Sequence, residues 1–258
     1  MKRSVPLLES SSKEAAALIT GRHGRLWLDR QQHERHENQT MHRLAIYDMD
    51  KTITAHATWT PFLARYGRAR PWRVAATLGP SMLYVAKRID RARLKEMTQA
   101  LVLGRRPATA TVEARARAFA ARVAAKDVRG DALARIAADR ADGYRVMLAT
   151  ASYDFYVRPI AAALGIADVI ATPSTIEGDR LIARIAGENC YGEAKLAMIL
   201  AWLAREGIAR EDAHVRFYSD HVSDAPTLDW ADEPFAVSPH AALRQLAAAK
   251  GWPVLEWR

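Results

Sequence analysis

Apolar residues gather into short runs of strand length, and mixed stretches of helical length separate them. Residues 44–47 form one such run and end abruptly in Asp48-Met-Asp-Lys-Thr. Residues 144–150 form a second run, closing on Thr150, and residues 215–220 a third, closing on an acid. Between and after them the pattern predicts a helix over 154–165, a strand over 167–172 and a turn-rich extended stretch over 174–186. A helix over 191–207 follows, then short strands over 234–238 and 253–257 flanking a helix rich in Ala and Leu. Strands alternating with helices predict an α/β fold with a parallel sheet covered on both faces.

Residues 54–140 break that alternation. They read as helices interrupted at Pro61, Pro71, Pro80, Gly104, Pro107 and Gly130, so an all-helical insertion is expected there. Residues 41–53 and 141–258 would then make one core, in two segments. Residues 1–40 stand apart: they are polar, with His23, His33 and His36 at irregular spacing and no sustained periodicity. We expect a mobile tail there, with Met41 a candidate for the native start. The first residues carry no apolar stretch of the secretory kind.

Composition and charge sharpen this picture. With 258 residues and 50% apolar content, the chain can bury a large core. Its single cysteine, Cys190, excludes a disulfide framework and fits a reducing, cytoplasmic setting; we read it as a buried structural thiol. No apolar run approaches the roughly 20 residues of a spanning helix. The net charge of +9 is unevenly spread: residues 54–140 hold 18 Lys or Arg against six Asp or Glu, which is +12. The body of the chain is mildly acidic. A basic insertion would draw anionic substrates by its field. With Trp72 and Tyr84 beside Lys87, Arg88, Arg91 and Arg93, it would also suit peripheral contact with an anionic membrane. The plain alternative is solvated arginines on surface helices.

Side chains two apart in an extended segment point the same way, so Asp48 and Asp50 would share one side of a strand's carboxyl end. Open α/β sheets place ligands there. Two carboxylates that close repel unless a proton or a cation intervenes, which suits a Mg²⁺ site. Taken singly each motif has an ordinary reading: a polar strand exit, an N-cap for Thr150, a solvated helix face for Lys195, loop acids for Asp220 and Asp224.

Together, Asp48-Met-Asp-Lys-Thr, Thr150-Ala-Ser, Asn189-Cys-Tyr-Gly-Glu-Ala-Lys195 and Tyr218-Ser-Asp-His-Val-Ser-Asp224 resemble the haloacid dehalogenase superfamily, and within it the phosphoserine-phosphatase-like branch. The resemblance covers residues 41–258. It implies a Rossmann-like three-layer core with a helical cap over the active site, and hydrolysis of a phosphomonoester through an aspartyl-phosphate. Asp48 would be the nucleophile, and Asp50 would protonate the leaving oxygen and then activate water. Lys195 and Thr150 would hold the transferring phosphoryl group. Mg²⁺ would be held by Asp48, Asp220 and the Asp50 backbone carbonyl, with Asp224 at or just behind them.

Substrate identity is less defined. Phosphoserine phosphatases carry a glutamate nine residues past the nucleophile, where this chain has Ala57, which argues against phosphoserine itself. A small phosphorylated metabolite or a phospholipid headgroup fits the anionic-substrate expectation. Alternatives are a phosphotransferase of the same superfamily, a phosphonate-cleaving relative, or a non-catalytic module binding a membrane or nucleic acid. The phosphonate branch requires a Schiff-base lysine in the cap, for which the sequence offers no clear candidate. The intact set Asp48, Asp50, Thr150, Lys195 and Asp220 speaks against a mere binding module, and nucleic acid is not an expected partner.

Overall fold

The central strand of the fold is the first apolar run, β1 (His42–Tyr47), and its two neighbours lie far away in sequence. The computed structural model describes residues 41–258; the expectations for residues 1–40 fall outside the described residues. β1 is flanked in parallel by β2 (Arg145–Tyr153) and β6 (Ala213–Ser219). With β3 (Asp168–Thr172), β7 (Glu233–Val237) and β8 (Val254–Leu255) the sheet has the order β3-β2-β1-β6-β7-β8, parallel throughout. The chain runs outward from β1 in both directions, so a crevice opens beyond the carboxyl ends of β1, β2 and β6.

Alternation within each strand divides the core. Ala45, Tyr47, Val146 and Leu148 face one cluster, whereas Leu44, Ile46, Met147 and Ala149 face the other. The second cluster is covered by α8 (Glu193–Glu206) and α10 (Ala241–Lys250), through Ile199, Trp202, Leu203, Leu243 and Ala247. The first is covered by α5 (Thr109–Lys126), α6 (Gly130–Ala141) and α7 (Asp154–Ala163). A sheet buried on both faces is what the continuous apolar runs require, and the expected α/β architecture is borne out.

The insertion comprises α1 (Trp59–Tyr66), α2 (Pro71–Ala75), α3 (Leu78–Val85), α4 (Arg91–Val102), α5 and α6. Pro71 opens α2, where its missing N–H costs nothing. Asp90 caps α4 by accepting from the Arg93 N–H at 2.7 Å. The turn-rich stretch after β3 is an antiparallel hairpin, β4 (Ser174–Glu177) with β5 (Arg180–Ile185). Its backbone bonds to Arg105 and Pro107 tie the insertion to the body. A short helix, α9 (Ala225–Trp230), follows the β6 exit.

A buried polar network braces the two central strand tips. Asp139 of α6 is fully buried and accepts from the Tyr47 and Tyr218 hydroxyls and from Arg216. Arg135 pairs with it at 3.1 Å. The two tyrosine rings stack with centroids 4.3 Å apart. Burial, with the neighbouring carboxylate, pushes both phenols above their ordinary range, so they remain donors. Tyr47 precedes Asp48, and Tyr218 accepts the Asp48 N–H through its carbonyl at 2.9 Å. Among the described residues no helix is long and apolar enough to cross a membrane.

Candidate active site

Three carboxylates and one ammonium meet at the strand tips. β1 ends at Tyr47, and residues Met49–Ile53 form a tight turn in which Lys51 adopts φ 65°. The two-residue alternation of a strand therefore does not extend through Asp48 and Asp50. They nonetheless line one cavity of about 290 Å³ with Thr150, Lys195, Asp220 and Asp224.

Lys195 sits in the first turn of α8, a position the helix dipole makes unfavourable for a cation. Its side chain is 1% exposed, and its Nζ bonds Asp48 Oδ1 at 2.9 Å and Asp224 Oδ2 at 2.6 Å. Burial lowers the Lys195 value, but Asp224 and Asp48 together more than reverse it, so the ammonium is secure. Burial also pushes the Asp48 carboxyl up, to about 8, while Lys195 pulls it back. With a permanent cation touching it, we describe Asp48 as the carboxylate half of an ion pair. Just before α8, Gly192 has φ 62° and ψ −134°, a conformation nearly confined to glycine.

Asp50 is held differently. Its Oδ1 accepts the Thr58 N–H and hydroxyl, both at 2.7 Å, and its Oδ2 accepts the Ser152 hydroxyl at 2.6 Å. The Asp50 carboxyl is thus engaged by donors, leaving its backbone carbonyl as the group available to an ion. β2 runs past the expected end at Thr150, and its register with β3 shifts between Thr150 and Tyr153. An irregularity of this kind re-aims side chains; here Thr150 lines the cavity and Ser152 reaches Asp50. Thr150 is therefore within a strand and not a helix cap.

Asp220 directly follows β6, and burial pushes its carboxyl up to about 6. His240 Nε2 lies 3.3 Å from Asp220 Oδ2 and also 3.3 Å from Lys51 Nζ. Asp224 accepts from Lys195 and from Ser219 through Oδ2, and its Oδ1 is buried without a hydrogen-bond partner. No group of three or more His, Cys, Asp or Glu among the described residues is arranged as a metal cluster. The hard-oxygen donors Asp48 and Asp220, with an orphaned Asp224 oxygen behind them, still fit an ion that takes its remaining ligands from water and substrate, as Mg²⁺ does. Three buried carboxylates against one buried ammonium leave an excess of negative charge that a cation would relieve.

Residues 45–229 match the haloacid dehalogenase-like hydrolase family model. The chain belongs to that family. A protein of Bordetella pertussis Tohama I, of unknown function, has a crystal structure that aligns with TM-score 0.77 and 30% identity, covering 84% of this chain and 99% of that one. A substrate-bound phosphoserine phosphatase aligns with TM-score 0.58 over 83% of this chain and 93% of its own; at 17% identity that likeness concerns the fold alone. The histidinol-phosphatase of Neisseria meningitidis serogroup C is 31% identical over 118 residues, 45% of this chain and 53% of that protein. Two Mycobacterium tuberculosis relatives, 37% identical over 122 residues, are matched over 42% of their length. The chain thus spans about half the length of these curated relatives. The sequence expectation of a haloacid dehalogenase-type hydrolase is borne out.

Several groups at the site escaped sequence reasoning. Arg91, read as one of the basic surface residues, lines the cavity and rests on the Tyr191 ring at 4.6 Å. His240 comes from a loop with no motif of its own. Lys95 of α4 is buried and donates to Ala151 O, Thr172 Oγ1 and Asn189 Oδ1. Burial pulls its amine down, to about 7. Cys190 is fully buried, as expected, and burial pushes its thiol up to about 12.

Proposed function

We propose that the protein is a Mg²⁺-dependent phosphomonoesterase working through an aspartyl-phosphate at Asp48. The observation that carries this is the Asp48–Lys195–Asp224 triad buried at the tip of the central strand. Asp48, fixed at a strand end and oriented by Lys195, attacks phosphorus and displaces the ester oxygen, splitting one slow hydrolysis into two steps. Asp50, positioned by Thr58 and Ser152, delivers a proton to that leaving oxygen. It then takes one from the water that hydrolyses the phosphoenzyme. Lys195 and Thr150 hold the equatorial oxygens, where negative charge accumulates in transfer. Asp48, Asp220 and the Asp50 carbonyl would hold Mg²⁺, with Asp224 supporting from behind; the ion supplies charge neutralisation for the phosphoryl group when bound.

In this reading residues 54–140 are the cap, with α5 and α6 as its base on the sheet, and the rest of residues 41–258 is the catalytic core. The substrate is an anionic phosphate ester, and the setting is the cytoplasm, in keeping with a single buried thiol. Peripheral contact with an anionic membrane belongs to the same reading. It is supported by exposed Trp72, Met82 and Val85 near Arg73, Lys87 and Arg88; co-sedimentation with anionic vesicles would check it, and nucleic acid has no part. The phosphonate alternative now has a buried cap lysine in Lys95, but three acceptors engage its Nζ. Ester hydrolysis is therefore preferred over carbonyl capture. A panel of phosphomonoesters assayed for phosphate release with and without Mg²⁺ tests the proposal. Release that needs the ion supports it, and absence of release from every ester refutes it.

A further inference from the structure

A second cavity, of about 450 Å³, adjoins the catalytic one and shares Asp50, Ala57, Arg91 and Ala151 with it. That volume falls in the range of ordinary ligand sites. Its walls come from α1, α2, α3 and α4, chiefly Trp59, Leu63, Val74, Leu78, Tyr84 and Leu94. The only carboxylate lining it is Asp50, which accepts from Thr58 and Ser152. Its cations are Arg91, at the junction, and Lys95, whose donors are spent on Ala151, Thr172 and Asn189. An ammonium on the leaving group would therefore meet two cations against a single carboxylate. The hydroxyls of Thr77, Ser81, Thr98, Ser152 and Tyr156 that also line it already donate within the fold, so an alkyl or aryl group would strand few polar groups.

We infer that this cavity is the leaving-group subsite and that the substrate is a phosphomonoester of an apolar, uncharged alcohol. The inference rests on the phosphatase reading, in which Asp50 meets the ester oxygen, and Asp50 lines both cavities. Leu78 lines the cavity yet is 68% exposed, so the cavity opens to solvent beside it. Met82 and Val85, 72% and 80% exposed, extend the apolar surface along the same helix. A chain longer than the cavity would emerge onto them. The same chemistry belongs to a soluble alkyl or aryl phosphate and to the phosphomonoester of a lipid.

The test is kcat/KM for straight-chain alkyl phosphates from propyl to octyl, all below their micelle concentrations. Beyond propyl these esters share one leaving-group basicity, so the series isolates binding. Burial of about 0.8 kcal/mol per methylene predicts a rise of about four-fold per carbon until the cavity is filled. Phosphoserine should fall below propyl phosphate. Leu78→Glu, at an exposed position, should flatten the dependence on chain length. A long-chain lipid phosphomonoester in neutral detergent micelles forms the second arm. A rise that continues into that arm assigns a lipid source; a plateau within the soluble series assigns a soluble one. Turnover of the whole series without dependence on chain length, or a preference for phosphoserine, overturns this inference and leaves the phosphatase reading standing. No turnover of any ester overturns both.

Discussion

Replacing Lys195 with methionine removes the sole cation from a buried triad and leaves Asp48 and Asp224 facing each other without compensation. Both carboxylates and the ammonium are 7% exposed or less, so water cannot take over the missing partner. Breaking a buried pair by deleting one member costs about 3–5 kcal/mol. For a chain of this size a urea slope of about 2 kcal/mol/M turns that into a midpoint lower by about 2 M. The assay is equilibrium urea unfolding near neutral pH in EDTA, so that no divalent ion masks the effect. The double variant Lys195→Met/Asp224→Asn removes one of the stranded charges and should recover about 1–3 kcal/mol of the loss, a non-additivity expected of groups in contact. Turnover should stay depressed by about 10²-fold or more in both variants, because the phosphoryl group has lost its cation. If Lys195→Met unfolds at the wild-type urea concentration, or if the double variant is no more stable than Lys195→Met, the triad is not the charge-balanced unit described here.

Other expectations follow from neighbouring features. EDTA should lower the thermal midpoint as well as abolish activity, and Mg²⁺ should restore both, as binding to the folded state alone requires; full activity in EDTA would contradict the metal assignment. Asp139→Ala takes the acceptor from the Tyr47 and Tyr218 hydroxyls, while Arg216 keeps Asp142 and Glu233, so it should cost about 1–3 kcal/mol in urea unfolding, and unchanged stability would show the network to be inert. Cys190, with its thiol pushed up to about 12 by burial, should resist alkylation at mildly alkaline pH until the protein unfolds. Labelling of the native protein would place that thiol in solvent.

The strands were legible because each is an apolar run bounded by polar turn residues, and a sheet buried on both faces needs little else. The strand-tip residues Asp48, Asp220 and Thr150 came with them, since strand ends define the crevice. Much of the insertion was not legible in detail. In an Arg- and Ala-rich stretch, Arg91, Lys95 and Asp139 have the same local pattern as solvated surface charges; only tertiary packing buries Lys95 and Asp139 and sets the exposed Arg91 at the cavity. The hairpin β4–β5 falls in the stretch expected to be extended and turn-rich, but its antiparallel pairing was not legible because its residues are half polar and pair mostly with each other. Asp50 was placed on a strand by periodicity, whereas the chain turns immediately after Asp48; Thr58 and Ser152, which hold it, lie eight and 102 residues away. His240 could not have been found from spacing at all, because a loop before α10 brings it to Asp220.

The most direct test of the central claim is to trap the phosphoenzyme. Protein quenched in acid during turnover of an aryl phosphate, then digested and analysed by mass spectrometry, should carry one phosphoryl group on the peptide containing Asp48. The adduct should vanish in Asp48→Asn and persist longer in Asp50→Asn, where activation of water is impaired. Turnover by Asp48→Asn, or a phosphoryl group found on any other residue, would contradict the account.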